Sequence, residues 1–144
     1  MEDMSAEIKN AAAVADAAAG TGGSGASSVD EAQARSLGIL LEEHKAADLV
    51  VLDLRQMKTW TDFFIIATAS SSTHLDGLDR HVKEFVRDQN MEIIRRSPKP
   101  SSQDDEWRIL DLGTIVVHLM SVRTRSFYEL ERLYPPPQAT VIYP

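Results

Sequence analysis

Residues 107–120 read WRILDLGTIVVHLM, and this stretch decides the fold. Two apolar runs flank Leu112 and Gly113, a pattern that predicts a β-hairpin with a two-residue turn. In that register the facing pairs are Trp107 with His118, Ile109 with Val116, and Asp111 with Thr114. The predicted hairpin therefore brings an indole and an imidazole side by side on neighbouring strands.

The two faces of this hairpin differ in character, because successive side chains of a strand point to opposite sides. One face carries only apolar side chains and is expected in the core: Leu110, Leu112, Ile115, Val117 and Leu119. The other face mixes aromatic, apolar and polar side chains: Trp107, Ile109, Asp111, Thr114, Val116, His118 and Met120. Such a mixture is typical of a partly exposed surface that contacts another protein.

The chain before the hairpin alternates between helical and strand patterns. Capping residues with a helical stripe predict helices, and short continuous apolar runs predict buried strands. Helices are predicted from Asp30 to near Ala47 and from Thr73, as the N-cap, to Asn90, strands at 49–52, 63–67 and 91–94, and an exposed loop at 97–102.

The chain after Ser121 predicts one more helix, which three prolines from Pro135 onward bring to an end. Its inward side is expected to carry Phe127, Leu130, Leu133 and Tyr134, and an adjoining side Arg125, Tyr128 and Glu131. Taken together, these elements predict an α/β fold in which a mixed sheet of about five strands is flanked by helices.

The composition divides the chain into three parts. Residues 1–29 are rich in Ala, Gly and Ser and predict a flexible tail, because they have little apolar surface to offset the entropy of ordering. Residues 30–134 are expected to form the folded domain, and residues 135–144 a Pro-rich C-terminal extension. A single domain fits 144 residues with 43% hydrophobic content.

Several kinds of chemistry and location are disfavoured by what the sequence lacks. It contains no cysteine, which excludes disulfides, thiolate metal ligands and cysteine nucleophiles. It has no apolar run near the roughly 18 residues of a membrane-spanning helix, and the N-terminus lacks the features of a signal peptide. We therefore expect a cytoplasmic protein with no membrane association.

The distribution of charge disfavours direct recognition of nucleic acid. The net charge is −7, of which residues 1–31 carry −5, so the remainder is nearly neutral. Binding to phosphate backbones depends on clustered Lys and Arg, which this pattern does not provide.

The segments described above resemble the ribosome-silencing factor family, also called the Iojap-like family. The resemblance covers roughly residues 35–134 and keeps the order and spacing of the motifs. The motifs are KAADLVVLD at 45–53, TDFFII at 61–66, SSSTH at 70–74, WRILDLG at 107–113, VVHLM at 116–120 and RSFYELE at 125–131. The sequence departs from the family pattern at Ala69, where Gly is common, at Thr114, where Asp is usual, and at Tyr134, where Trp is usual.

This resemblance implies a layered α/β fold similar to nucleotidyltransferases but without their activity, and so no cofactor. It also implies that the protein binds ribosomal protein fourteen of the large ribosomal subunit, blocks joining of the small subunit and represses translation. The partner-binding residues are then expected to be Trp107, Ile109, Asp111, Val116, His118, Met120, Arg125, Tyr128 and Glu131.

Several of these site residues also have a structural interpretation. Trp107 and His118 are equally consistent with a packed cross-strand pair. Asp111 is also suited to cap the hairpin turn, and Asp62, at the head of a strand, is better explained as a cap than as a site residue. Arg125, Tyr128 and Glu131 are ordinary for a helix flank, and only the family resemblance favours a contact role for them.

Two other classes of function remain as alternatives. A nucleotidyltransferase-like enzyme needs clustered carboxylates beside a Gly-Ser turn, and Asp53 and Asp62 stand alone in the predicted domain. His74 and His81 are two helical turns apart, too far to share one metal ion. A self-associating interaction module, which forms a homodimer when free, would use the same Trp107 face on a second copy.

Overall fold

The computed structural model describes residues 28–57, 61–96, 106–136 and 138–144. The predicted tail as far as residue 27 and the predicted loop at 97–102 lie outside these ranges. Within the described ranges, no helix combines the length and the apolar character needed to span a membrane.

Six strands form one mixed sheet in the part of the chain that the structure describes. They are β1 (Ala47–Asp53), β2 (Phe63–Ala69), β3 (Arg95–Arg96), β4 (Trp107–Asp111), β5 (Ile115–Ser121) and β6 (Thr140–Tyr143). Their order across the sheet is β3-β4-β5-β2-β1-β6, and every neighbouring pair is antiparallel except β2 and β5, which run parallel. The predicted α/β fold with a mixed sheet flanked by helices is confirmed.

In the same described ranges, three α-helices accompany the sheet: α1 (Ser28–Glu43), α2 (Ser72–Asp88) and α3 (Val122–Tyr128). Helix α1 ends four residues before the predicted end near Ala47, because Lys45 adopts a left-handed conformation with φ 71°. Helix α2 begins earlier than predicted, because the N-cap is Ser71, whose Oγ accepts a 3.0 Å hydrogen bond from the backbone N of His74. The prediction of Thr73 as the cap is wrong.

Strand β6 lies in the segment that was expected to be a Pro-rich extension. It runs antiparallel to β1 and places Val141 opposite Leu52. Arg35 of α1 donates a 2.8 Å hydrogen bond from Nη1 to the carbonyl oxygen of Ile142. The folded unit therefore continues beyond the predicted boundary at residue 134 and includes the end of the chain as an edge strand.

Helix α3 is shorter than predicted, and this changes which side chains point inward. Glu129 adopts a left-handed conformation with φ 44°, which ends α3, and a 3₁₀ turn follows at Leu130–Leu133. Leu130 is buried as expected, but Phe127 is 52% exposed and Leu133 is 49% exposed. The prediction that these two side chains face the core is wrong, because the break at Glu129 interrupts the 3.6-residue period on which it depended.

The sheet has a buried cluster on each face. The first face packs against α1 and α2 and includes the five hairpin residues that were predicted to be core. The second face is covered by the segment that follows β5, and its buried residues are Leu52, Leu54, Phe64, Ile66, Val116, Met120, Leu130 and Ala139. The division of the hairpin into two faces is therefore as predicted.

The register of the β4–β5 hairpin differs from the predicted one by two residues. Ile109 lies opposite His118 and Trp107 opposite Met120, so the turn is Gly113-Thr114 and not Leu112-Gly113. Leu112 continues the ladder by donating a 2.8 Å hydrogen bond to the carbonyl oxygen of Ile115. Moving the turn by one residue along the chain shifts the facing partner of each residue by two positions. Every side chain therefore changes its partner but stays on the same face.

Candidate functional site

The second face of the sheet carries a group of aromatic side chains where β4 and β5 meet α3. The indole Nε1 of Trp107 donates a 3.1 Å hydrogen bond to Nδ1 of His118. The ring of Tyr128 lies 5.2 Å from the indole between centroids, and the ring of Phe127 lies 4.9 Å from that of Tyr128. We call Trp107, Phe127 and Tyr128 the aromatic patch, because the three rings form one chain that reaches solvent at Phe127.

Three of the predicted contact residues lie beneath this surface and not on it. Val116 and Met120 are 0% exposed and His118 is 2% exposed. Their predicted partial exposure is wrong, because the chain that follows β5 folds back over this part of the sheet. Trp107 and Ile109 are half-buried at the border of the same cluster and keep part of their surface accessible.

The environment of His118 fixes its charge and its tautomer. Its ring packs against Phe64 at 4.6 Å between centroids, and burial lowers its pKa from 6.5 to about 3. Since the indole N–H of Trp107 can only donate, Nδ1 accepts and the proton of the neutral ring is on Nε2. Nε2 has no hydrogen-bond partner among the described residues. The imidazole is therefore a neutral support that orients the indole.

Asp111 caps the hairpin turn, which is the structural alternative considered for it. Its Oδ1 accepts a 2.8 Å hydrogen bond from the backbone N of Gly113, whose φ is 96°. The carboxylate is 5% exposed. Asp111 is thus a buried residue that fixes the turn at the edge of the surface.

Arg125 and Glu131 join α3 to the 3₁₀ turn and to the sheet. Nη1 of Arg125 donates a 3.0 Å hydrogen bond to Oγ1 of Thr68, and Nη2 donates another of 3.0 Å to Oε2 of Glu131. This ion pair is partly shielded from solvent, because the side chain of Arg125 is 12% exposed. It holds the 3₁₀ turn against β2 and so fixes the outline of the surface beside Tyr128.

Two depressions adjoin this ion pair and extend the surface. One has a volume of about 450 Å³, and its lining includes the polar residues Asp48, Thr68, Glu129 and Arg132. The other, of about 470 Å³, is lined mainly by apolar side chains: Val50, Leu52, Tyr134, Pro136, Ala139 and Val141. Val141 is 56% exposed, so apolar surface is also accessible at β6.

Phe127, Leu133 and Val141 are exposed residues of this face that the sequence analysis did not select. Phe127 and Leu133 fit the inward stripe of a continuous helix, and Val141 lies in the segment taken for an extension. No local sequence signal marks them as exposed, because their positions depend on the left-handed residue Glu129 and on the pairing of β6 with β1.

The remaining candidates lie away from this face. Asp62 is 7% exposed, and its Oδ2 has no hydrogen-bond partner among the described residues. Burial, together with the negative charge of Asp30, raises the pKa of Asp62. The connection between β1 and β2 is held by its backbone instead, since the carbonyl oxygen of Asp62 accepts a 2.8 Å hydrogen bond from the N of Leu54. Across the described ranges, no three His, Asp or Glu side chains are grouped so as to hold a metal ion.

Comparison with known proteins points to one family. The family described as "Ribosomal silencing factor during starvation" matches residues 27–142. "Protein Iojap, chloroplastic" of Zea mays is 35% identical over 73% of this chain and 46% of its own length. "Ribosomal silencing factor RsfS" of Treponema pallidum is 37% identical over 62% of this chain and 78% of its own length. The chain spans less than half the length of the plant relatives that it matches.

A solved structure shares the fold as well as the sequence pattern. A crystal structure of a Bacillus halodurans protein superposes with a TM-score of 0.58 at 28% identity, covering 69% of this chain and 91% of that one. The layered arrangement of one mixed sheet with helices is therefore found in a solved relative.

Proposed function

Because this chain belongs to the family of ribosomal silencing factors, we propose that it binds ribosomal protein fourteen of the large ribosomal subunit and prevents the small subunit from joining. Translation is repressed because a large subunit that carries this domain cannot form a complete ribosome. The protein then acts by occupying a surface and needs no reaction of its own. We place this action in the cytoplasm.

The observation that carries this proposal is the aromatic patch on the second face of the sheet. Trp107 and Tyr128 are half-buried and held in place, whereas Phe127 is 52% exposed. Trp and Tyr are the residues most enriched among those that dominate the energy of protein interfaces. Rings that are already ordered lose little conformational freedom on binding, so the patch is suited to anchor a partner.

The candidate residues divide into those that touch the partner and those that support the surface. Direct contacts are assigned to Trp107, Ile109 and Tyr128, with Phe127 added from the structure, and polar contacts at the border to Arg125 and Glu131. Val116, His118 and Met120 support the patch from below, and Asp111 fixes the turn at its edge. This division explains why buried and accessible side chains occur together in the second face of the hairpin.

The test is a binding measurement between the purified chain and ribosomal protein fourteen, by pull-down and by calorimetry. We expect binding by the native chain and reduced binding by Trp107→Ala. Val29→Ala is the matched control, because Val29 is 62% exposed on α1, at the opposite face of the sheet. Absence of binding by the native chain, or equal loss in both variants, contradicts the proposal.

A homodimer of the free protein uses the same apolar surface in a different way. Light scattering with and without ribosomal protein fourteen separates the two arrangements. A dimer that is dispersed by the partner is consistent with a shared surface. A dimer that persists unchanged in excess partner favours self-association as the use of the aromatic patch.

A further inference from the structure

Three of the four histidines lie where the end of α1 packs against α2, on the face of the sheet opposite the aromatic patch. His44 follows the last residue of α1, and His74 and His81 belong to α2. The chain reverses immediately after His44: the backbone N of Ala46 donates a 3.0 Å hydrogen bond to the carbonyl oxygen of Leu41, and Lys45 is left-handed. This helix ending fixes the place of His44 in the backbone.

His74 connects the two helices through Nε2, whereas its Nδ1 bonds to Ser70 just before α2. Its Nδ1 lies 2.9 Å from the backbone N of Ser70, and its Nε2 lies 2.8 Å from the carbonyl oxygen of His44. Since the N–H of Ser70 donates, Nδ1 accepts, and Nε2 donates to the carbonyl. Nδ1 also lies 3.1 Å from Oγ of Ser70, so its contacts stay within the segment that begins α2.

The rings of His44 and His81 are stacked face to face. Their centroids are 3.5 Å apart and their planes differ by 15°. Two neutral imidazoles attract each other at this separation by dispersion. Two imidazolium ions at the same separation repel each other, and the side chain of His81, at 25% exposed, is only partly screened by water.

We propose that the stacked pair His44 and His81 forms a pH-sensitive joint, which holds the C-terminal end of α1 against α2 at neutral pH and weakens in mildly acidic solution. Protonation of His81 is opposed by the charge of the neighbouring His44, and two charged rings repel each other. This repulsion weakens the contact between the helices. The joint does not depend on the identity of the protein's partner.

The charged groups around the stack do not cancel the effect of pH on it. On α2, Glu84 lies 4.0 Å from Nδ1 of His81 through Oε1, and Arg80 also acts on the ring. From the end of α1, the group that acts on the ring is His44. Arg108 of β4 also faces α2, but it is paired with Asp76 and Asp79. Strands β2 and β5 lie beneath α2 and present apolar side chains that belong to the buried cluster on the first face of the sheet.

The balance of these groups favours the neutral ring. Burial and the neighbouring His44 lower the pKa of His81 below 6.5, and Arg80 acts in the same direction, against an opposing effect of Glu84. In the unfolded chain the imidazole takes up a proton near pH 6.5. The folded state binds that proton less readily, so stability falls as the pH falls below 6.5.

The experiment compares thermal unfolding of the full chain at pH 7.5 and pH 5.5 with that of His81→Phe, His44→Phe and the double variant. Phenylalanine keeps a stacked ring but does not titrate. We expect the Tm of the native chain to fall by about 4 °C more than that of either single variant. The fall in Tm of the double variant should equal that of either single variant, because both residues belong to one contact. Equal falls in the native chain and the single variants overturn the proposal.

Titration of the histidine ring signals by NMR provides a second measurement on the native chain. We expect the titration midpoint of His81 to lie below pH 6.5. In His44→Phe the midpoint should rise, because the neighbouring charge is removed. If the variants do not fold, a native His81 midpoint at or above 6.5 overturns the proposal without them.

Discussion

Trp107 links the fold and the proposed contact surface through one side chain. Its N–H is held by His118 and one face of its ring lies near Tyr128, so the indole is ordered before any partner arrives. A Trp buries on the order of 200 Å², and at about 25 cal/mol per Å² its full burial contributes roughly 5 kcal/mol. Part of that area is already buried in the folded chain, so binding gains the remainder.

We therefore predict that Trp107→Ala weakens binding to ribosomal protein fourteen by at least about 2 kcal/mol, or about thirty-fold in Kd. Calorimetry on the purified chain measures the change directly. Because the substitution also removes a donor from His118, circular dichroism and thermal unfolding are needed to show that the variant is folded. Native affinity in a folded variant contradicts a contact role for this residue.

His118 is expected to make the stability of the fold depend on pH. Its pKa is about 3 in the folded chain, whereas the unfolded imidazole titrates near 6.5. Below pH 6.5 the unfolded state binds a proton that the folded state excludes, so stability is lost as the pH falls. Between pH 7 and pH 5 this group should remove about 2 kcal/mol of unfolding free energy.

The variant His118→Gln isolates this effect, because an amide oxygen can accept the indole N–H but does not titrate in this range. Urea unfolding at pH 7, 6 and 5 should show a shallower loss of stability for the variant than for the native chain. Parallel loss in both proteins would assign the acid sensitivity to other groups.

At the scale of the elements, the packing of α1 against the sheet leaves no space at Gly38. A Cβ built on Gly38 meets Cγ2 of Val51 at 2.8 Å, and Val51 is a stiff, fully buried side chain. Gly77 in α2 is the matched control, since a Cβ there meets nothing within 4 Å. The same substitution therefore tests packing at one site and helix propensity at the other.

Gly38→Ala should destabilise the protein by about 1–3 kcal/mol, because the overpacking exceeds the gain in helix propensity. Gly77→Ala should stabilise it by about 0.5–1 kcal/mol. Chemical denaturation of the two variants measures both changes. A stabilised Gly38→Ala would show that α1 moves away from β1 at little cost.

The elements also show how far the sequence alone can predict this structure. The hairpin faces are correct because they depend only on the alternation of side chains, whereas the facing partners of Trp107 and Ile109 are not, because the position of the turn selects them. The end of α3 depends on Glu129 in a left-handed conformation, which is uncommon for this residue type and carries no sequence signal. These differences explain why Phe127 is on the surface and His118 beneath it.

At the scale of the whole molecule, strand β6 changes the limits of the domain. Three of its four residues pair with β1. The strand is tied to α1 by Arg35 and by the hydroxyl of Tyr143, which donates a 2.7 Å hydrogen bond to Oε1 of Glu42. These contacts join positions about a hundred residues apart in the sequence. Local patterns could not predict them, because they join residues far apart in the sequence and three prolines stop the helical pattern before the strand.

The size of the domain determines what a bound copy can obstruct. A compact domain of about 100 residues has a radius of gyration of about 13 Å, far more than the roughly 4 Å across which side chains make contact. A copy bound at the face where the subunits meet, as proposed above, would keep their surfaces apart at every position that it covers. Inhibition is then expected to require one bound copy for each large subunit and no interaction with the small subunit.

We therefore predict that adding the protein to separated subunits lowers the fraction that joins, with the effect complete near one copy per large subunit. Sucrose gradients should place the protein with free large subunits and not with translating ribosomes. Trp107→Ala should need about thirty-fold more protein for the same effect, whereas Val29→Ala should match the native chain. Two outcomes contradict an obstruction located on the large subunit. One is sedimentation of the protein with joined ribosomes, and the other is inhibition that depends on the concentration of the small subunit.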